Sequence, residues 1–265
     1  MFTSGFETVI LFQRKIELKS CYCFHFPPTI EYCLQFTKMT TFEKKQVGVE
    51  IGILRSLLDK NHPHIVRFHD SFVDSFGKTF IVMEFCANGD LASLIESHRR
   101  NRTWAQECFI WKVLGQITSA LKQCHRHYNP EKHVATTIIH RDVKPANILL
   151  DHNYDIKLCD FGLSTELLPD GQSTELRGTS GYSRDSPSQL LTCLPTTEND
   201  TDDGMCGTPF YMAPERVNRS CYDERSDIWS LGCIIYELAA LRHPFLSENE
   251  TELSSRINSG HLAPL

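Results

Sequence analysis

The chain has 265 residues, enough to bury a substantial core as one large domain or as two lobes. Hydrophobic residues make up 41% and charged residues 23%, ordinary globular proportions that exclude a wholly disordered or fibrous chain. The net charge of -6 gives no global basic field, so neither nucleic acid nor an anionic membrane is expected as a partner. Eleven cysteines are scattered from Cys21 to Cys233 with no C-x-x-C pair, which reads as packed, reduced thiols in an intracellular protein. The apolar run Val9 to Phe12 is too short for a secretory signal. Ile228 to Leu241 is interrupted by Glu237 and falls short of the roughly 20 apolar residues of a membrane span, so a buried core helix and a soluble protein are expected.

Residues 1 to 38 are the least regular part of the chain. Thr40-x-x-Glu43 is a capping-box signature, and Val47, Leu54 and Leu58 recur behind it at helical spacing. Gly48 and Gly52 each cost about 1 kcal/mol inside that helix, which predicts marginal stability by itself. His62 to Phe68 and Thr79 to Met83 read as strands, with His62 and His64 serving a turn, since no third ligand for a metal is nearby. Gly89-Asp90-Leu91 starts a helix. Trp104 to His127 carries a long amphipathic pattern through Phe109, Val113, Ile117 and Leu121. Its last residues, Cys124-His125-Arg126-His127, read as a basic turn facing the helix dipole in preference to a zinc site. Asn129 to Thr137 reads as a polar loop.

That loop leads into His140-Arg141-Asp142-Val143-Lys144-Pro145-Ala146-Asn147, followed by Asp160-Phe161-Gly162. Between the two motifs, Ile148-Leu149-Leu150 and Ile156 to Cys159 read as short strands around an Asp151-His152-Asn153 turn. Such a hairpin brings Asn147 beside Asp160, a neutral and an anionic oxygen donor of the hard type that Mg²⁺ prefers. These residues resemble the catalytic loop and metal-binding triplet of a eukaryotic protein kinase. The resemblance implies an α+β, bilobal fold, with a small β-rich lobe over residues 1–86 and a larger, mainly helical lobe over 87–265. It implies ATP and Mg²⁺ as cofactors and protein substrates, and leaves a regulatory protein partner open. Asp142 would orient the acceptor hydroxyl, Lys144 would stabilise the transferring phosphoryl group, and Asn147 and Asp160 would hold the metal.

The same resemblance assigns an ATP site to Val9, Leu34, Glu50, Met83, Glu84, Cys86 and Leu149, with Met83 to Cys86 as the hinge that meets adenine through backbone groups. Two departures stand out. With Val9 on the family's valine, Phe2, Ser4 and Glu7 occupy the places of three phosphate-loop glycines. Leu34 stands where a lysine normally grips the phosphates and pairs with the helix glutamate, here Glu50. Lys38 is four strand residues away, displaced by roughly 13 Å; Lys15 or Lys19 would have to reach in. Glu50 therefore reads equally as a functional carboxylate and as part of a solvated helix face.

Residues 168–205 show no strand or helix period and are rich in Ser, Thr, Asp and Gly, which reads as a disordered insertion in the activation segment. There the family places a phosphate on Arg141; Asp202, Asp203 or a modified Thr201 would supply the negative charge, unless the loop is merely solvated. Gly207 to Glu215, including Thr208, resembles the substrate-docking end, and Asp227 reads as a structural residue capping its helix and anchoring the catalytic loop. The family continues past the position of Leu265 with helices that hold the arginine partner of Glu215, so the large lobe reads as truncated.

Lys144 and Thr208 mark the serine/threonine type. Met39 to Leu54, Ala120 to Arg126 and Ser226 to Cys233 are similar to the NIMA-related (NEK) kinases. That implies roles in cell-cycle progression, and a cytoplasmic protein with the centrosome, cilium or flagellum, or nucleus as destinations. The expected activity is phosphoryl transfer to protein Ser/Thr, weakened by the lost lysine and glycines. The alternative is a pseudokinase scaffold or nucleotide-binding regulatory module.

Overall fold

The computed structural model describes residues 21–26, 30–37, 41–57, 61–73, 79–129, 133–167, 209–218, 220, 222–247 and 249–262. Four antiparallel strands, β1 (Cys21–Phe26), β2 (Ile30–Thr37), β3 (Phe68–Val73) and β4 (Thr79–Glu84), form a sheet in the order β1-β2-β4-β3. Along β4 the buried Thr79, Ile81 and Met83 alternate with the half-buried Phe80, Val82 and Glu84, the two-residue period of a strand with one face on a core. Helix α1 (Thr41–Leu57) connects β2 to β3 and buries Val47, Glu50, Leu54 and Leu57, one helical stripe. The capping-box Thr40 lies outside the described residues.

The larger lobe is built from α2 (Leu91–Asn101), α3 (Glu107–His125), α4 (Pro214–Val217), α5 (Arg225–Ala240) and α6 (Glu250–Ser259). Asp90 caps α2, its Oδ1 accepting from the Ser93 amide at 2.7 Å. Val113, Ile117, Leu121 and Cys124 are fully buried on α3 and meet Leu231, Ile234 and Leu238 of α5 in one core. Burial pushes the Cys124 thiol well above its ordinary range and the Cys233 thiol up to about 12, so both are inert packing groups.

Three short strand pairs complete the architecture. β5 (His127–Asn129) pairs with β6 (Val134–Ile139), which pairs with β9 (Thr165–Leu167) on its other edge, and β7 (Ile148–Leu150) pairs with β8 (Ile156–Leu158). The expected polar loop over 129–137 is therefore largely a hairpin. The β-branched run Val134, Thr136, Thr137, Ile138, Ile139 carries it, with Thr136 and Ile138 turned into the core. The expected strand over 62–68 is also revised. Residues 62–66 form a turn in which His62 Nδ1 accepts from the His64 amide, and pairing along the sheet begins only at Phe68.

The lobes are joined by main-chain bonds. The Val66 amide donates to Leu158 O at 2.9 Å and the Leu158 amide to His64 O at 3.0 Å. After the hinge, the Asn88 amide donates to Leu150 O and the Leu150 amide to Gly89 O. The β7–β8 hairpin thus touches the small-lobe turn on one side and the hinge exit on the other. Among the described residues no helix is long and apolar enough to cross a membrane.

Candidate active site

The β7–β8 hairpin sets the positions of the two motifs. Ile148 lies opposite Leu158, and one step further the Cys159 amide donates to Asn147 O at 3.0 Å, so the end of the catalytic loop and Asp160 leave the hairpin side by side. Its turn is tightened by Asp151, whose Oδ1 accepts from the amides of Asn153 and Asp155. The expected adjacency of Asn147 and Asp160 follows from this register, with Cys159 as the direct cross-strand partner.

His140 is fully buried and packs on Phe161 with ring centroids 4.8 Å apart. Its Nε2 is 3.0 Å from Cys159 O, an acceptor only, so Nε2 carries the proton; Nδ1 is then free to accept from the Asp142 amide at 3.4 Å. The carboxylate of Asp142 is buried and held at one oxygen. Oδ2 accepts from Lys144 Nζ at 2.6 Å and from Asn147 Nδ2 at 3.0 Å, while the same Nδ2 also reaches Asp142 O at 2.9 Å. Oδ1 meets no side-chain donor among the described residues and remains available to a hydroxyl.

The loop backbone hangs on Asp227, which is 1% exposed. Its Oδ2 accepts from the His140 amide (2.9 Å) and His125 Nε2 (2.8 Å), and its Oδ1 from the Arg141 amide (3.0 Å). Burial alone would raise this carboxyl; the hydrogen bonds from His125 and from the His140 amide, with favourable electrostatics from both rings, more than offset it and hold it below its ordinary value. Asp227 anchors the loop as expected but does not cap its helix, because α5 begins two residues earlier at Arg225. His125 is a partner the sequence reading missed, having placed it at the helix dipole; nothing local links positions 102 residues apart.

Gly162 sits where any side chain would press on the Asp160 carboxylate. A β-carbon there would lie 3.3 Å from Asp160 Oδ1 and 3.8 Å from Glu50 Oε2. Glu50 is thus a buried carboxylate beside the triplet, only 3% exposed, which removes the solvated-face reading. Asp160 itself is left-handed (φ 64°), and its Oδ1 accepts from the Gly162 amide at 3.4 Å. The donor set suits Mg²⁺. Asn147 spends its amide nitrogen on Asp142, leaving its oxygen as a hard donor, and Asp160 supplies an anionic one. Among the described residues no three His, Cys, Asp or Glu side chains converge, so there is no all-protein cage; a cation held partly by substrate phosphates fits that sparse set.

Met83 and Cys86 are buried and Leu149 half-buried, with Leu149 bridged to Asp90 across the hinge exit. The Glu84 side chain is structural: Oε1 accepts from the Arg67 amide at 2.7 Å and Oε2 pairs with Lys157 Nζ at 3.0 Å, linking hinge and β8. In the β2–β4 register Leu34 stands opposite Val82, while Cys33 and Gln35 stand opposite the buried Met83 and Ile81. Val9, Lys15, Lys19, Thr201, Thr208 and the insertion 168–205 lie outside the described residues.

Arg141, also left-handed (φ 68°), donates to Leu163 O, to Ser164 O and to Tyr222 OH, neutral acceptors that fasten it to the strand after the metal triplet. Glu215, expected to await a distant arginine, accepts from Ser226 Oγ at 2.6 Å. Further along α5, Ser230 Oγ donates to Tyr211 O at 2.7 Å, and the buried Glu237 receives Tyr211 OH and Arg99 Nη2.

The sequence that builds the loop and hairpin has relatives. The family model of the protein kinase domain matches residues 32–190 and 191–263. The chain belongs to the protein kinase domain family. Within it, the similarity is to NIMA-related members. Human serine/threonine-protein kinase Nek2 is 40% identical over 228 residues, covering 86% of this chain and 43% of the relative. The G2-specific protein kinase nimA of Emericella nidulans is 33% identical over 251 residues, 88% of this chain and 31% of the relative. Human Nek5 is 34% identical over 233 residues, 88% of this chain and 27% of the relative. The kinase domain described here spans less than half the length of these relatives.

Proposed function

We propose that this kinase domain transfers the γ-phosphoryl group of ATP to serine or threonine hydroxyls of protein substrates, in a NIMA-related setting. The observation that carries the reading is the Asp142 carboxylate, pinned at Oδ2 by Lys144 and Asn147 with Oδ1 left for a hydroxyl. ATP would supply the phosphoryl group, and Mg²⁺ would neutralise charge on its phosphates. Asp142 orients the acceptor hydroxyl and takes up its proton at Oδ1. Lys144, 2.6 Å from Asp142, places a positive charge where negative charge moves during transfer. Asn147 and Asp160 hold the metal, the main chain of residues 84–86 receives adenine, and Met83 and Leu149 line its pocket. We place the division between lobes at residues 86 and 87.

The names of the relatives support a serine/threonine target, and the G2-specific label of nimA supports a role in the cell cycle. A cytoplasmic location with visits to the centrosome or nucleus accords with those names. None of the relatives' names favours the scaffold alternative.

The test is purified protein with ATP, Mg²⁺ and casein, with Asp142→Asn as control. Transfer by the wild type and a loss of at least about a hundredfold in the variant are expected, given the usual contribution of acid–base groups. Equal incorporation by both proteins would defeat the proposal.

A further inference from the structure

Arg216 and Tyr222 take no part in the reading above, yet they touch the catalytic loop at one residue. Arg216 lies on α4, immediately after Glu215 at the docking end. Its Nη1 donates to the main-chain oxygen of Arg141 at 2.5 Å, and its guanidinium carbon lies 5.5 Å from the centroid of the Tyr222 ring. Tyr222 OH in turn receives Arg141 Nη1 at 3.1 Å. The three side chains close a circuit around Arg141: backbone oxygen to Arg216, Arg216 to the face of Tyr222, Tyr222 hydroxyl back to the Arg141 guanidinium.

Arg141 needs such support. Its φ of 68° is a left-handed conformation that is unfavourable for a residue with a β-carbon. Asp227 grips the Arg141 amide, and Arg216 grips its carbonyl, the oxygen of the peptide that leads directly into Asp142. A guanidinium suits this place because it donates in a fixed plane while stacking on an aromatic ring, which an ammonium does less well.

We infer that Arg216 is a positioning residue for Asp142, coupling the seating of the docking end to the geometry of the catalytic loop. When α4 is in place, the Arg141–Asp142 peptide is clamped from both sides; when α4 is displaced, the carbonyl clamp goes with it. This inference rests on the kinase reading for its effect on rate, but its effect on the backbone is independent of that reading.

The experiment compares the full chain with Arg216→Ala, Arg216→Lys, Tyr222→Phe and, as a neighbouring control, Arg225→Ala, whose own partner is the nearby Asp223. Two readouts are taken: steady-state transfer to casein, and amide hydrogen exchange by segment. Arg216→Ala is expected to lower kcat about tenfold or more with KM for ATP within about twofold, with partial recovery in Arg216→Lys. Exchange at the amides of residues 141–143 is expected to rise about tenfold in Arg216→Ala and less in Tyr222→Phe, with α3 and α5 unchanged. Arg225→Ala should match wild type in both. Wild-type exchange at 141–143 in Arg216→Ala would overturn the inference, as would a rise shared equally by α3 and α5. A wild type that transfers no phosphate would defeat the kinase reading instead, and exchange would still decide on Arg216.

Discussion

Replacing Asp227 by asparagine tests the claim that one buried carboxylate suspends the catalytic loop. The substitution keeps the shape and removes the charge and one acceptor. Asp227 accepts three hydrogen bonds, from His140 N, Arg141 N and His125 Nε2, two at Oδ2 and one at Oδ1. If the asparagine oxygen takes the Oδ2 place, its NH₂ group faces the Arg141 amide, donor against donor. Turning the amide over sets the NH₂ against two donors, which is worse. At least one charge-assisted bond, worth about 1.5–3 kcal/mol, is lost, and a buried amide is left unsatisfied at a further 1–3 kcal/mol. A loss of about 4 kcal/mol corresponds to a fall in Tm of about 8–16 °C for a domain of this size. Differential scanning fluorimetry or circular dichroism reads that shift, and the displaced loop should also lower kcat about a hundredfold. A Tm within about 3 °C of wild type would refute the reasoning, because it would mean that the three bonds carry no net stability.

Three other outcomes follow from single contacts. Gly162→Ala puts a methyl 3.3 Å from Asp160 Oδ1, so the carboxylate must shift by a few tenths of an ångström; the Mg²⁺ concentration for half-maximal activity should rise several-fold with little change in Tm. Lys157→Met removes the partner of Glu84 in a pair with side chains 14% and 23% exposed; a cost of about 1 kcal/mol and a several-fold weaker affinity for ATP, read by nucleotide titration, are expected as the hinge loosens. His243 stacks on Phe210 at 4.6 Å, and burial lowers its pKa below the ordinary 6.5. The unfolded chain therefore binds this proton more readily than the folded one, and stability present above pH 6.5 is lost as pH falls below it. Wild type should lose more Tm than His243→Phe between pH 7.5 and 5.5, although Glu237 at 3.5 Å opposes the shift.

The site was more legible than its supports. His140 to Asn147, the 148–158 hairpin and Asp160 could be placed because motif spacing and turn residues between short apolar runs are local signals, as could the start of α2 at Gly89 to Leu91. Helix α1 was legible as a helix, yet the place of Glu50 was not: with Leu34 where its lysine partner was expected, only the packed structure shows the carboxylate buried beside Gly162. The β5–β6 hairpin was read as a loop because the polar stretch Asn129 to His133 in the sequence masks the end of the three-residue β5 and the start of β6. His125, Arg216 and Tyr222 escaped because their partners are far along the chain, at 227 and 141, and one sequence holds no trace of that pairing.

Helix α5 explains why these distant pieces meet. It is too apolar to be a surface helix, with Leu231, Cys233, Ile234 and Leu238 buried, yet it also buries Ser226, Asp227, Ser230 and Glu237. Buried polar groups are costly unless paired, and each of these is paired with another segment of the large lobe. Ser226 holds Glu215 of α4, Asp227 holds the catalytic loop and the end of α3, Ser230 holds the docking turn through Tyr211 O, and Glu237 holds Tyr211 and Arg99 of α2. Burial and the charge of Glu237 raise the Tyr211 hydroxyl far above its ordinary value, consistent with its donating to Glu237. Asp227, Ser230 and Glu237 fall at spacings of three and seven along the helix, close to one face. The polar ladder within an apolar helix thus fixes the loop that carries Asp142 and the turn that carries Tyr211 to one rigid element.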